Sequence, residues 1–251
     1  MSVVNRELEK QLLLSLKHSL IVSCQPVDDG PMDKVEHVVA MALAAVNGGA
    51  KGLRIEGVEN VRAVAKVSPV PIVGIIKRDL ADSAVRITPY VDDVNALAKA
   101  GASIIAFDGT DRRRPASMLQ LLDAIHMSGC VAMADCADYE VGLMLAQHGC
   151  TFIGSTLSGY TDNSAPPFEP DYNLVSRWVS QGLNVIAEGR YNSPERAAYA
   201  IGLGAFSVTV GSAITRVEHI TQWFVAGVEA GGNTSTVENE NAQDGIGALA
   251  T

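Results

Sequence analysis

Short apolar runs and amphipathic stretches alternate along nearly the whole chain. The runs are rich in Val, Ile and Ala. They lie at Leu20–Gln25, Gly52–Gly57, Pro71–Lys77, Ser103–Asp108, Val131–Asp135, Thr151–Thr156, 184–188 and 206–211. Each is short and bounded by turn residues, as buried strands are. Helical spacing predicts helices over Asp33–Asn47, Val58–Lys66, Val91–Ala100, Pro115–Met127, Asp138–His148, Asn173–Ser180 and Ala213–Val228, with an Ala-rich one after Pro194. Asp33 and Asp138 stand where N-caps belong, Pro115 in a first turn, and Gly48-Gly49, Gly101, Gly129 and Gly149 where helices stop. Eight strand–helix repeats predict a closed (β/α)8, or TIM, barrel. Leu8, Leu12, Leu13 and Leu16 mark one more helix, Asn5–Lys17, which precedes strand one and would cap the barrel floor. No Gly-x-Gly-x-x-Gly turn follows an early strand, which argues against a doubly wound sheet.

Composition fits that frame. The 251 residues match the usual size of one such barrel. Hydrophobic residues make up 47% and aromatics only 5%, so Ala, Val, Ile and Leu must build the core. Residues 1–229 read as a single barrel domain. Residues 230–251, rich in Gly, Asn, Thr, Ser and acids, read as a disordered tail. No apolar run reaches a membrane span, and the N-terminus lacks the basic-then-apolar order of a signal peptide, so a cytoplasmic protein is expected. A net charge of −9 argues against nucleic acid as a partner. Cys24, Cys130, Cys136 and Cys150 form no Cys-x-x-Cys and are expected to be reduced and buried. None of the five histidines follows a predicted strand, which argues against a metal site or a Ser-His-Asp triad.

Barrel enzymes keep their chemistry at the C-terminal ends of the strands. Those ends carry Gln25, Arg54 with Glu56, Lys77, Asp108, Asp135, Thr156, Glu188 and Gly211. Plainer readings stay open for several of them. Arg54 and Glu56 share one strand face and could neutralise each other; Lys77 could snorkel out of the mouth; Asp108 and Asp135 could accept loop N–H groups. The run Arg112-Arg113-Arg114 reads as a solvated loop. After the last two strands come Gly189 and Gly211, the second followed by small residues that can start a helix, and phosphate binds at such places. A lysine, a glutamate and a phosphate grip facing one mouth suit proton transfer beside a carbonyl, because burial lowers a lysine's pKa and raises a glutamate's. The residues thus point to an epimerase or isomerase of a small phosphorylated carbonyl compound.

Several segments carry a more specific likeness: Leu20-Ile-Val-Ser-Cys-Gln25, Pro71-Ile-Val-Gly-Ile-Ile-Lys-Arg78, Asp108-Gly-Thr-Asp-Arg-Arg-Arg-Pro115, Ala132-Met-Ala-Asp135, Ser155-Thr-Leu-Ser-Gly-Tyr-Thr161, Ala187-Glu-Gly-Arg190 and Val210-Gly-Ser-Ala-Ile-Thr-Arg216. In these segments the chain resembles the N-acetylmannosamine-6-phosphate 2-epimerases of bacterial sialic acid catabolism. The resemblance spans the barrel and stops before the tail. It implies cofactor-free, metal-free interconversion of N-acetylmannosamine 6-phosphate and N-acetylglucosamine 6-phosphate. It places the catalytic pair on Lys77 and Glu188, and the sugar contacts on Gln25, Arg54 and Asp135. The phosphate would sit on the backbone around Gly189, Arg190, Gly211 and Ser212, with Arg216. It also implies a homodimer. Many relatives have Gly-Gly where this chain has Gly211-Ser212, but serine keeps the N–H. A metal-dependent pentulose-phosphate epimerase would need strand-end histidines. A ketol isomerase would be expected to end strand one in aspartate, not Gln25. A non-catalytic sugar-phosphate sensor would have lost the Lys77–Glu188 pair.

Overall fold

Parallel pairing of each strand with the next, and of the last with the first, closes the strands into a ring. The computed structural model describes residues 5–161 and 167–244. Its strands are β1 (Ser19–Cys24), β2 (Gly52–Glu56), β3 (Ile72–Ile75), β4 (Ile104–Asp108), β5 (Val131–Asp135), β6 (Phe152–Gly154), β7 (Val185–Glu188) and β8 (Ser207–Val210). All pair in parallel and in chain order, and β8 returns to β1, so the barrel is closed as predicted. The helices are α1 (Arg6–Ser15), α2 (Val35–Asn47), α3 (Val58–Ala65), α4 (Val91–Ala100), α5 (Met118–Met127), α6 (Tyr139–Gln147), α7 (Tyr172–Ser180), α8 (Pro194–Gly202), α9 (Ser212–Thr215) and α10 (Val217–Asp244).

Two apolar layers follow from the strand period. Outward residues such as Val22, Leu53, Ile55, Ile105, Phe107 and Val208 pack under the helices. Inward residues, among them Ile21, Val73, Ile75, Ile104, Met133, Phe152 and Ile186, fill the barrel itself. The floor is closed by α1, whose Leu12 joins that inner layer together with Leu16 just past the helix end. Asn5 caps this helix by accepting from the Leu8 N–H.

The helix starts differ in detail from the sequence expectation. Lys34, not Asp33, is the residue before α2, and the Asp33 carboxylate instead accepts from the Asp29 N–H at 2.9 Å. Pro115 lies ahead of α5, which starts from a Ser117–Gln120 capping box. Asp138 does cap α6. The last predicted helix is two pieces, broken at Arg216, where φ −102° and ψ 89° leave the helical region. The second piece runs past residue 229 to Asp244, where composition predicts a disordered tail. No proline falls in that stretch to stop a helix. Residues 245–251 lie outside the described residues, as does part of the loop after β6. On α10, Trp223, Phe224, Val225 and Val228 are exposed.

Leu16 is fully buried at the floor, far from the strand C-terminal ends. Leu16→Ala should destabilise the protein by about 2–5 kcal/mol in urea unfolding, while turnover at saturating substrate stays within about twofold. A large loss of turnover with stability intact would show that the floor communicates with the mouth.

Candidate active site

Strand parity brings the predicted residues to one place. The inward series on β5 is Val131, Met133, Asp135; on β7, Ile186 and Glu188; on β8, Ser207, Thr209 and then Gly211. Continuing each series past the apolar layers delivers polar side chains to the mouth. A cavity of about 450 Å³ opens there. Its wall includes Gln25, Arg54, Lys77, Glu188, Arg190 and Arg216, with backbone at Gly189, Gly211 and Ser212.

Arg54 is the deepest of these. Only 1% exposed, it points into the barrel from β2. Its guanidinium donates to both oxygens of Asp135, at 3.2 and 2.7 Å. The same group stands 3.2 Å from Glu188 Oε2, an ion contact not aligned as a hydrogen bond. Burial alone would lower the Arg54 pKa; Asp135 and Glu188 outweigh it and stabilise the guanidinium charge. The partner is therefore Asp135 across the barrel, not Glu56 along the strand. Glu56 Oε1 instead accepts from the Lys77 N–H at 3.4 Å. Asp135 is wholly buried, and its carboxylate is engaged by Arg54. Thr156 Oγ1 donates to it at 2.6 Å. Gly154 makes room for this layer: a Cβ there would lie 2.7 Å from Met133 and 3.2 Å from Asp135 Oδ1.

Glu188 ends β7, whereas Lys77 lies two residues past β3, which stops at Ile75 short of the predicted end; β3 and β7 are four apart in the eight-stranded ring, so the two residues approach the mouth from opposite sides. Burial pushes the Glu188 carboxyl up to about 7, against the pull of Arg54. Ser155 Oγ bonds both backbone groups of Glu188 and fixes the end of β7. Burial lowers the Lys77 ammonium, and the charge of Arg216 lowers it further, with Glu56 opposing. A base and an acid drawn toward neutrality from opposite sides can pass a proton through either face of a planar intermediate.

The phosphate-grip residues divide into backbone and side chain. Gly189 has φ +104°, a conformation that favours glycine, and Arg190 follows at +65°. The Arg190 guanidinium is spent on the carbonyls of Glu169 and Ser158, so it braces the loop after β6 and leaves its backbone to the cavity. Arg216 Nε donates to the Gln25 carbonyl at 2.9 Å, tying the end of α9 to β1. Gln25 Nε2 donates to Ser23 Oγ, while its Oε1 is buried without a partner. The arginine run is not a uniformly solvated loop: Arg112 and Arg114 turn in on Asp108, and only Arg113 stays outside with Asp82. Arg112 also reaches the cavity wall, as do Thr209 and Tyr191, which motif reading passed over. Strand parity alone could have found Thr209, two residues before Gly211.

The family model described as "Putative N-acetylmannosamine-6-phosphate epimerase" matches residues 38–230. The chain belongs to this family. A curated relative in Glaesserella parasuis bears the name "Putative N-acetylmannosamine-6-phosphate 2-epimerase". It is 56% identical over 226 residues, covering 90% of this chain and 97% of the relative. One of the same name in Photobacterium profundum is 57% identical over 221 residues, covering 88% and 94%. The solved N-acetylmannosamine-6-phosphate 2-epimerase of Clostridium perfringens superposes with a TM-score of 0.83 at 40% identity, over 86% of this chain and 95% of that one. Thiamine phosphate pyrophosphorylase from Pyrococcus furiosus matches at a TM-score of 0.57 and 15% identity, a likeness of fold alone.

In this epimerase-family chain the raised Glu188 pKa has a consequence for stability. The folded state holds that proton more tightly than the unfolded chain. The stabilisation is complete below the ordinary glutamate value of 4.5 and is lost as pH rises through about 7. Glu188→Gln should therefore gain stability over the parent between pH 5 and pH 8 in chemical denaturation. A constant difference across that range would mean that Glu188 titrates as an ordinary surface carboxylate.

Proposed function

We propose that this protein interconverts N-acetylmannosamine 6-phosphate and N-acetylglucosamine 6-phosphate by proton transfer at C2. The observation that supports it most is the cross-barrel placement of Lys77 and Glu188, with the expected phosphate grip beside Glu188. The open-chain sugar has a C1 aldehyde that acidifies the C2–H. Its phosphate lies against the backbone around Gly189, Arg190, Gly211 and Ser212, near Arg216. One of Lys77 and Glu188 removes the C2 proton, electrons shift to the C1 oxygen, and the other residue returns a proton to the opposite face. Arg54, held charged under Glu188, is placed to steady the developing negative charge. Gln25 has a free buried oxygen for a substrate N–H or O–H. Asp135 serves by holding Arg54.

The reaction takes no metal and no organic cofactor. Among the described residues no three His, Cys, Asp or Glu gather into a set that could bind a metal ion. Activity should be unchanged by EDTA; a loss restored by one divalent cation would overturn this part of the mechanism.

The chain works as a homodimer in the cytoplasm. The exposed apolar side chains of α10 support a self-association surface, and four free, buried cysteines suit a reducing compartment. No helix of the described residues is long and apolar enough to cross a membrane, and the net charge disfavours nucleic acid. Residues 230–251 are dispensable to the barrel. A chain ended after Glu229 keeps the apolar positions of α10, so it should retain dimer mass, melting temperature and turnover. A monomeric or destabilised product would assign the tail a structural role.

The acid–base assignment is tested by proton NMR of the sugar phosphate in D2O. Lys77→Ala and Glu188→Ala should each lower epimerisation by about 10²–10⁴-fold. One of them should still exchange the C2 hydrogen of a single epimer with solvent without converting it. If both variants keep more than about a tenth of normal turnover, the proton passes through other groups.

A further inference from the structure

Apart from the less buried Tyr160 and Ser212, hydroxyls on the cavity wall fall into two groups. Those with a hydrogen bond belong to the frame already described: Ser23 Oγ receives Gln25, and Thr156 Oγ1 is given to Asp135. Two others, Thr209 Oγ1 and the Tyr191 hydroxyl, are buried and make no well-aligned hydrogen bond among the described residues, with Ser155 close enough to the phenol to oppose the rise in its pKa. Their residues are 3% and 2% exposed, and both line the cavity. A buried hydroxyl with no partner costs the free protein stability, and a well-packed barrel has apolar isosteres for both positions. Ser207 Oγ is unpartnered too, but it lies one inward step deeper on β8 and is not on the wall.

The positions of the two wall hydroxyls suit one part of the substrate. Thr209 is the register partner of Glu188 across the β7–β8 pairing. Two residues on, about 6.6 Å along the strand, comes Gly211 of the expected phosphate grip. Thr209 thus stands between the group that handles C2 and the groups that would hold the phosphate on C6. Tyr191 follows Glu188 by three residues and reaches the same wall from the β7 side. An open-chain sugar phosphate with C2 at Glu188 and its phosphate at Gly211 must pass C3, C4 and C5 over this stretch.

We propose that Thr209 and Tyr191 are specificity-determining residues that hydrogen-bond the hydroxyls of the middle carbons, C3 to C5, of the phosphorylated sugar. This rests on the function proposed above. A threonine hydroxyl can donate once and accept twice, so it can answer a sugar hydroxyl of either orientation. Burial, with Tyr172 and Asp171 nearby, raises the Tyr191 phenol, which therefore remains a donor at neutral pH. Both groups touch carbons that do not change configuration. They would hold the carbon chain in place while C2 alone becomes planar and is reprotonated, and they would reject phosphorylated carbonyl compounds lacking those hydroxyls.

The test uses Thr209→Val and Tyr191→Phe, which keep shape and remove only the oxygen. Melting temperature, kcat, KM and the Kd of the open-chain alditol 6-phosphate, made by reducing the substrate aldehyde, are measured for each. The expected result is a melting temperature equal to or above the parent's, kcat within about threefold, and KM and Kd each raised about tenfold. The 3-deoxy, 4-deoxy and 5-deoxy alditol phosphates identify the partner. At least one should bind the parent weakly yet bind one variant as well as the full alditol does. Unchanged Kd in both variants would overturn the proposal. So would a lowered melting temperature with the same deoxy penalties as the parent, since the hydroxyls would then be structural. A parent protein that neither binds the alditol phosphate nor exchanges the C2 hydrogen would fail at the proposed function itself, and the hydroxyl assignment would fall with it.

Discussion

One buried positive charge organises the catalytic end of this barrel. Arg54 enters an interior that is otherwise filled by apolar side chains such as Met133, Ile186 and Ile75. A guanidinium in such surroundings is tolerable only if its charge and its N–H groups are answered. Asp135 answers two of them in a fork. Glu188 supplies a second negative charge without a well-aligned bond. Much else is shaped by this. Gly154 must lack a side chain, Thr156 must turn inward, and Ser155 must hold the end of β7 where it is. Glu188 is thereby left with an oxygen that the protein does not fully satisfy, in a place where its carboxyl is neither fully charged nor fully neutral near physiological pH.

Under the proposed function, the mouth around that centre has two sides. The β7–β8 side offers backbone groups and Arg216, suited to a phosphate that stays unchanged through the reaction. The β3 side offers Lys77, drawn from its usual pKa by burial and by Arg216. Arg216 therefore acts on both sides, as a cation near the phosphate grip and as a neighbour that makes the Lys77 proton easier to lose. A bound phosphate would offset part of that effect, so substrate binding and the acid–base poise of Lys77 are electrostatically linked.

The loops that carry this division are braced by arginines. Arg190 spends its guanidinium on the carbonyls of Glu169 and Ser158, and Arg196 on Glu169. Arg112 and Arg114 close on Asp108 and steady the turn after β4. Charge at a barrel mouth serves two ends, holding loops and holding ligand, and only the partner of each guanidinium tells which.

The family, the barrel, the order of its strands and the strand-end positions of Lys77 and Glu188 were legible in the amino-acid sequence. The barrel and the strand positions rest on local period and on short apolar runs bounded by turns, which are properties of neighbouring residues; the family rests on the resemblance carried by motifs such as Ala187-Glu-Gly-Arg190. The sequence also carried the inward parity of Arg54, since alternation needs no tertiary information. It could not show whom Arg54 meets. Glu56 is two residues away on the same strand, yet the partner is Asp135, which lies across the barrel. Pairing across a closed ring depends on strand tilt and depth, and these are decided only when β8 joins β1. The same closure decided that Thr209 and Tyr191 would reach the cavity wall, and that Asp135 would bury its carboxylate against Arg54. A residue's face is written in its neighbours; its depth and its partner are written by the other seven strands.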